Sequence, residues 1–143
     1  IRERRIADRA ESDAAEEAAE AADGEPSGKM DSGTPASYIK SLQPAIQSLG
    51  QLENALSKDF LAGVDAVLDE HVTPFVEMRH RLIEDMGLGK AAPVLLHMAR
   101  GERLLNRAWS AEADGFRDEA VDAISEAREV FQEALETFEG KEE

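Results

Sequence analysis

The chain has 143 residues, 42% apolar and 5% aromatic, with 31 acidic against 16 basic residues and a formal net charge of -15. That charge repels phosphate backbones and anionic lipid headgroups, which excludes nucleic acid and membrane surfaces as partners through bulk charge. The lack of cysteine excludes disulfides, thiolate metal sites and cysteine nucleophiles, and no apolar run approaches the ~18 residues of a membrane span.

The sequence opens on Ile1 rather than Met and without a basic-then-apolar leader, which reads as a fragment or processed product, cytoplasmic or virion-associated rather than secreted. Residues 1–23 are rich in Ala, Glu and Arg, strong helix formers. Ala7, Ala10, Ala14, Ala18 and Ala21 make only a narrow small-residue seam. Arg2, Arg4, Arg5 and Arg9 come first and the glutamates after, the reverse of what the helix dipole favours. Such a segment suits the end of an upstream helix or folding against a partner. Residues 24–36, dominated by Gly, Pro and Ser, read as a linker. Residues 1–36 are therefore expected to be a flexible acidic arm, followed by a helical domain over 37–139 and an acidic tail over 140–143.

From Tyr38 a helical period sets in, with Leu42, Ile46, Leu49, Leu52 and Leu56 on one stripe that Pro44 either starts or kinks. A second stripe holds Phe60, Val64, Val67, Leu68 and His71, and Thr73-Pro74 resembles a cap followed by a first-turn proline. The third carries Phe75, Met78, Leu82, Ile83 and Met86 and ends at Gly87-Leu88-Gly89. A fourth helix is expected from about Ala91, with Val94, Met98, Gly101, Leu105 and Ala108 on its apolar face and Leu95, Leu104 and Trp109 flanking; Gly101 invites close approach of a neighbour. After Asp114-Gly115 the fifth helix shows the cleanest pattern. Ala120, Ala123, Ile124, Ala127, Phe131, Ala134, Leu135 and Phe138 form the seam, and Asp118, Glu119, Asp122, Glu126, Glu129, Glu133 and Glu136 the opposite face.

Few residues carry chemistry. Glu77 and His80 form one Glu-x-x-His, whereas a carboxylate-bridged di-metal site needs two such pairs and two further glutamates. A mononuclear site would need His71 to join them across Pro74. Gly87-Leu88-Gly89-Lys90 could hold an anion ahead of a helix, but a phosphate loop needs glycine where Glu84 stands and Ser or Thr where Ala91 stands. Asp114-Gly115 fails as a calcium loop, since Val121 occupies the closing glutamate position and Arg117 lies within the loop. Nothing selects a catalytic pair among the three histidines and 31 carboxylates, so no enzyme, metal or cofactor is expected.

Gly115, Glu119, Ala120, Ile124 and Ala127, with Leu104, Ala108 and Ala111 before them, are spaced as in a tetratricopeptide repeat. About a quarter of the chain is similar to one such hairpin. No second copy follows at a period of about 34 residues, so the better reading is a single repeat-like hairpin within a bundle.

The sequence thus leads to an all-α bundle of four or five helices acting as a non-catalytic protein–protein interaction or structural component, such as a scaffold, adaptor or virion-type assembly part. Ala120, Ala123, Ile124, Ala127, Phe131, Leu135 and Phe138 are its candidate interaction seam, facing a protein partner, a second copy, or the fourth helix of the same chain. Two alternatives rest on the charge and on Glu77 with His80: an acidic mimic of DNA directed at a basic protein, and a small metal-binding bundle.

Overall fold

In the computed structural model, which describes residues 33–140, helix formation starts at a capping box just inside the expected linker. The Thr34 hydroxyl accepts from the Ser37 amide at 3.2 Å, and the Ser37 hydroxyl accepts from the Thr34 amide at 3.0 Å. Two amides with no intrahelical partner are satisfied at once, and Pro35 occupies the first turn, where its missing N–H costs nothing. Helix α1 therefore runs Pro35–Lys40 and α2 Leu42–Gly50. The two join at Ser41, because the ring of Pro44 cannot coexist with a helical carbonyl at Lys40. The kink thus falls three residues before the proline. The stripe expected to continue to Leu56 stops at buried Leu49, and Leu56 is 68% exposed in the loop before α3.

Helix α3 spans Ser57–Val67, and a π-helical turn, Leu68–Val72, carries it into α4, Thr73–Glu77. No cap forms at Thr73, contrary to expectation. The Thr73 amide donates to the Leu68 carbonyl, five residues back, and this wider turn absorbs Pro74 without ending the rod. The break comes instead at Met78, with φ -111° and ψ 26°. There the Arg79 guanidinium donates to the Val76 carbonyl, an acceptor that the broken helix leaves without its usual partner. Helix α5 follows as Arg79–Met86.

Gly87, at φ 84° and ψ 153°, is a one-residue connection in a backbone region open essentially to glycine. Helix α6 begins at once, Leu88–Ala113, so the stretch expected to be a loop is its first turn and Pro93 lies inside it. Gly115, at φ 92°, turns the chain into α7, Arg117–Phe138. The α6–α7 hairpin outruns the roughly 34 residues of one tetratricopeptide unit.

Among the described residues there is no strand, and the architecture is an all-α bundle of five rods: α1–α2, α3–α4, α5, α6 and α7. The α6–α7 pair is its centre. Helix α2 packs on α7, while α3 and α5 pack on α6. One aliphatic core joins them, with Phe60, Phe75 and Phe131 fully buried. At roughly 1.5–3 kcal/mol per buried large apolar side chain, such burial is the main force holding the rods. No described helix is long and apolar enough to cross a membrane. The expected arm, residues 1–32, and residues 141–143 of the expected tail lie outside the described residues.

Candidate functional site

The interaction seam read from the sequence is spent within the chain. Ala120, Ala127 and Phe131 are fully buried, Ala123, Ile124 and Leu135 nearly so, and α7 lies against α6 and α2. A side-chain carbon on Gly101 would stand 2.3 Å from a ring carbon of Phe131, which shows how closely the ring seats on the α6 backbone. Phe138 alone is half-buried, in a groove with Met86, Gly89, Lys90 and Pro93. The seam therefore faces α6 and α2, and its surface is not free for a second protein.

The residues singled out for chemistry are separated. Glu77 ends α4 and His80 lies in α5, so the break at Met78 removes the single-helix register that a Glu-x-x-His needs. His71 Nδ1 sits 2.7 Å from the Ser41 hydroxyl, which itself donates to the Tyr38 carbonyl at 2.6 Å. This hydrogen bond, whose donor is set by the imidazole tautomer, ties the π-helical turn to the α1–α2 joint. Burial lowers its pKa from 6.5, against a smaller raising effect of Glu70. His97 Nδ1 lies 3.7 Å from Glu133 across the hairpin. Among the described residues, no group of three His, Asp or Glu is placed to hold a metal ion.

The best-built polar cluster sits at the hairpin turn, and the sequence reading missed it. Arg117 Nε and Nη2 donate to the two carboxylate oxygens of buried Glu112 at 2.6 and 2.9 Å, and Nη1 donates to the Glu53 carbonyl at 2.9 Å. The guanidinium also lies 4.7 Å from the centre of the Phe60 ring. The Arg117 hydrogen bond, aided by one from Ser57, holds the Glu112 carboxyl below its ordinary pKa, and Glu112 raises that of Arg117. Bidentate geometry, with all three guanidinium nitrogens donating, pins the 51–56 loop to the hairpin, a structural task. About three turns further along α7, Arg128 Nε donates to the Ile46 carbonyl at 3.1 Å, a cation at the C-terminal half of α2.

The surface left open is the outer face of α6. Leu88 and Leu96 are 64% and 67% exposed, and Ala92 and Pro93 between them are exposed too. Arg100, Arg103 and Arg107 continue this face along the next two turns, all exposed, with Leu104 and Glu126 beside them. None of the three arginines is in a salt bridge among the described residues. An apolar stripe running into a basic row is unexpected on so acidic a chain. Its signal in the sequence was the i, i+3, i+7 spacing of the arginines and the second apolar side of α6. Comparison with protein-family models, curated proteins and solved structures finds no match to this chain.

Proposed function

We propose that the chain is a non-catalytic protein–protein interaction or assembly component, and that the outer face of α6 is its docking surface. The observation that carries this reading is the exposed run Leu88, Ala92, Pro93, Leu96, covered by no described helix and continued by Arg100, Arg103 and Arg107. Contiguous exposed apolar surface beside a charged row is the usual footprint of an interaction site. The chemistry selects an amphipathic helix with an apolar stripe and a row of carboxylates, laid along α6. The polar groups best placed for chemistry support the reading by already serving the fold: Glu112 holds Arg117, and His71 holds Ser41.

The test is fluorescence anisotropy with a labelled helical peptide carrying leucines at four-residue spacing and glutamates beyond them. The parent protein should bind it, and Leu88→Asp with Leu96→Asp, or Arg103→Glu with Arg107→Glu, should weaken binding at least about tenfold, each decade being about 1.4 kcal/mol. Equal binding by parent and both variants would refute the assignment.

A second reading rests on α7. Its outward carboxylates, from Asp118 to Glu136, are all exposed along a helix of 22 residues, a negative strip suited to a basic nucleic-acid-binding protein. Displacement of DNA from such a protein, lost on Glu126→Lys with Glu129→Lys, would favour it.

A further inference from the structure

The two charged rows on the outside of the central hairpin match each other. Arg100, Arg103 and Arg107 lie on α6 at steps of three and four residues. Read backwards along α7, Glu129, Glu126 and Asp122 lie at the same steps. All six side chains are exposed, and Glu126 lines one groove with the three arginines, so both rows look out from the same side of the molecule. Their levels agree as well. Gly101 seats against Phe131 and His97 lies 3.7 Å from Glu133, which fixes the antiparallel register of the hairpin. In that register each arginine stands within about one to three residues of its carboxylate, an axial offset of about 1.5–4.5 Å that an arginine side chain spans. Yet among the described residues no ion pair joins the rows. Side by side on neighbouring helices, they face solvent rather than each other.

A second copy supplies what one chain lacks. Half a turn about an axis parallel to the hairpin keeps every residue at its level and exchanges the two helices. Helix α6 then lies antiparallel on the partner's α7, and the partner's α6 on α7. A two-fold running across the hairpin would instead stack arginine on arginine and carboxylate on carboxylate, which like charge disfavours. Leu96, one turn before Arg100 on the same face, is covered by the same approach. The net charge of -15 per chain opposes association at long range. At about 0.15 M salt the Debye length is about 8 Å, so that repulsion is screened while pairs in contact keep their attraction.

We infer that the chain self-associates as a two-fold dimer through the outer face of its α6–α7 hairpin, Arg100, Arg103 and Arg107 pairing with the partner's Glu129, Glu126 and Asp122 and the reverse. Helix α7 offers the row of carboxylates but keeps its apolar stripe inside, so charge pairing sets the affinity and the dimer is weak and reversible. This rests on the reading of α6 as the docking surface and names a second copy as its partner.

Sedimentation equilibrium of the full chain from about 10 µM to about 1 mM, the range in which exposed ion pairs act, reads this directly at moderate salt. A monomer–dimer equilibrium is expected, weakened at ~1 M salt, where the Debye length is about 3 Å. Arg103→Glu with Arg107→Glu, and separately Asp122→Arg with Glu126→Arg, should each weaken the dimer at least about tenfold. Mixed, the two variants should form a one-to-one heterodimer, because every facing pair is then of opposite charge. All four positions are exposed, and unchanged helical circular dichroism confirms that the variants fold. A chain that stays monomeric throughout, species that grow past the dimer, or a mixture no more associated than its components overturns the dimer. The labelled peptide separates this idea from the docking surface, because Asp122→Arg with Glu126→Arg leaves α6 intact. Peptide binding by a monomeric parent and by this variant sinks the dimer and spares the docking surface, whereas neither dimer nor peptide binding sinks both.

Discussion

Replacing Gly101 by alanine tests the packing of the central hairpin, because two effects of known size oppose each other there. In an open helix interior, Gly→Ala stabilises by about 1 kcal/mol, chiefly by removing backbone freedom from the unfolded chain. At Gly101 the added carbon would lie 2.3, 2.5 and 2.9 Å from three ring atoms of Phe131, distances that real side-chain carbons do not show. Phe131 is 0% exposed, so the ring has no solvent to move into. Overpacking of a closed core costs roughly 1–3 kcal/mol. The clash therefore cancels the propensity gain or exceeds it, and the net change runs from about zero to a loss of about 2 kcal/mol. For a folded unit of this size, 1 kcal/mol moves the melting temperature by about 4–8 °C. Urea titration and thermal melts followed by helical circular dichroism resolve that shift. Phe131→Leu removes ring atoms at the contact, so the double variant should recover stability relative to the sum of the singles, with a coupling of at least about 0.5 kcal/mol. A Gly101→Ala protein more stable than the parent by about 1 kcal/mol would refute the close seating of Phe131 on α6.

Phe131→Ala should cost about 3–5 kcal/mol, a large share of the ~5–15 kcal/mol that holds a small domain. Because the seam faces α6 and α2 of the same chain, that loss should not vary with protein concentration, which melts over a hundredfold dilution series would check. Glu112 has a depressed folded pKa, so its stabilisation is present above its ordinary 4.5 and is lost as pH falls through the folded value; Glu112→Gln should flatten that part of the acid limb. Burial likewise lowers the folded pKa of His71: as pH falls below 6.5 the unfolded chain binds a proton that the folded one resists, so stability should decline from 6.5 down to the folded value, and His71→Gln should remove that decline in pH-dependent urea melts. Salt should raise the melting temperature, since Asp122, Glu126, Glu129, Glu133 and Glu136 place like charges at three- and four-residue spacing, each pair costing a few tenths of a kcal/mol that screening relieves. A flat response from low to molar salt would count against it.

By itself the sequence determined the helical class, the burying face of the long helices and a place where two helices touch closely. Residue type at helical spacing sets these directly: an apolar face must leave water, and a glycine on that face leaves room for a ring. Hence Ala120, Ala123, Ile124, Ala127, Phe131, Ala134 and Leu135 are buried, and Gly101 meets Phe131. The helix junctions were only partly legible. A proline forbids one hydrogen bond and one carbonyl position, and the chain has more than one remedy. At Pro44 the rod kinks at Ser41; at Pro74 it widens into a π-helical turn and breaks later, at Met78; at Pro93 it runs on. Which remedy is used depends on what packs against the segment. Ser41 and His71 show the same dependence, for their hydrogen bond joins residues 30 apart. The tertiary structure alone decided which apolar residues stay uncovered. Helical spacing puts Leu95 at the flank of the apolar face and Leu96 on the opposite side; Leu95 is tucked against the core, and Leu96, which no described helix covers, faces outward beside the arginine row. Exposure is a property of the neighbours a helix receives, so the candidate docking surface emerged only when α3, α5 and α7 had taken the other sides of α6.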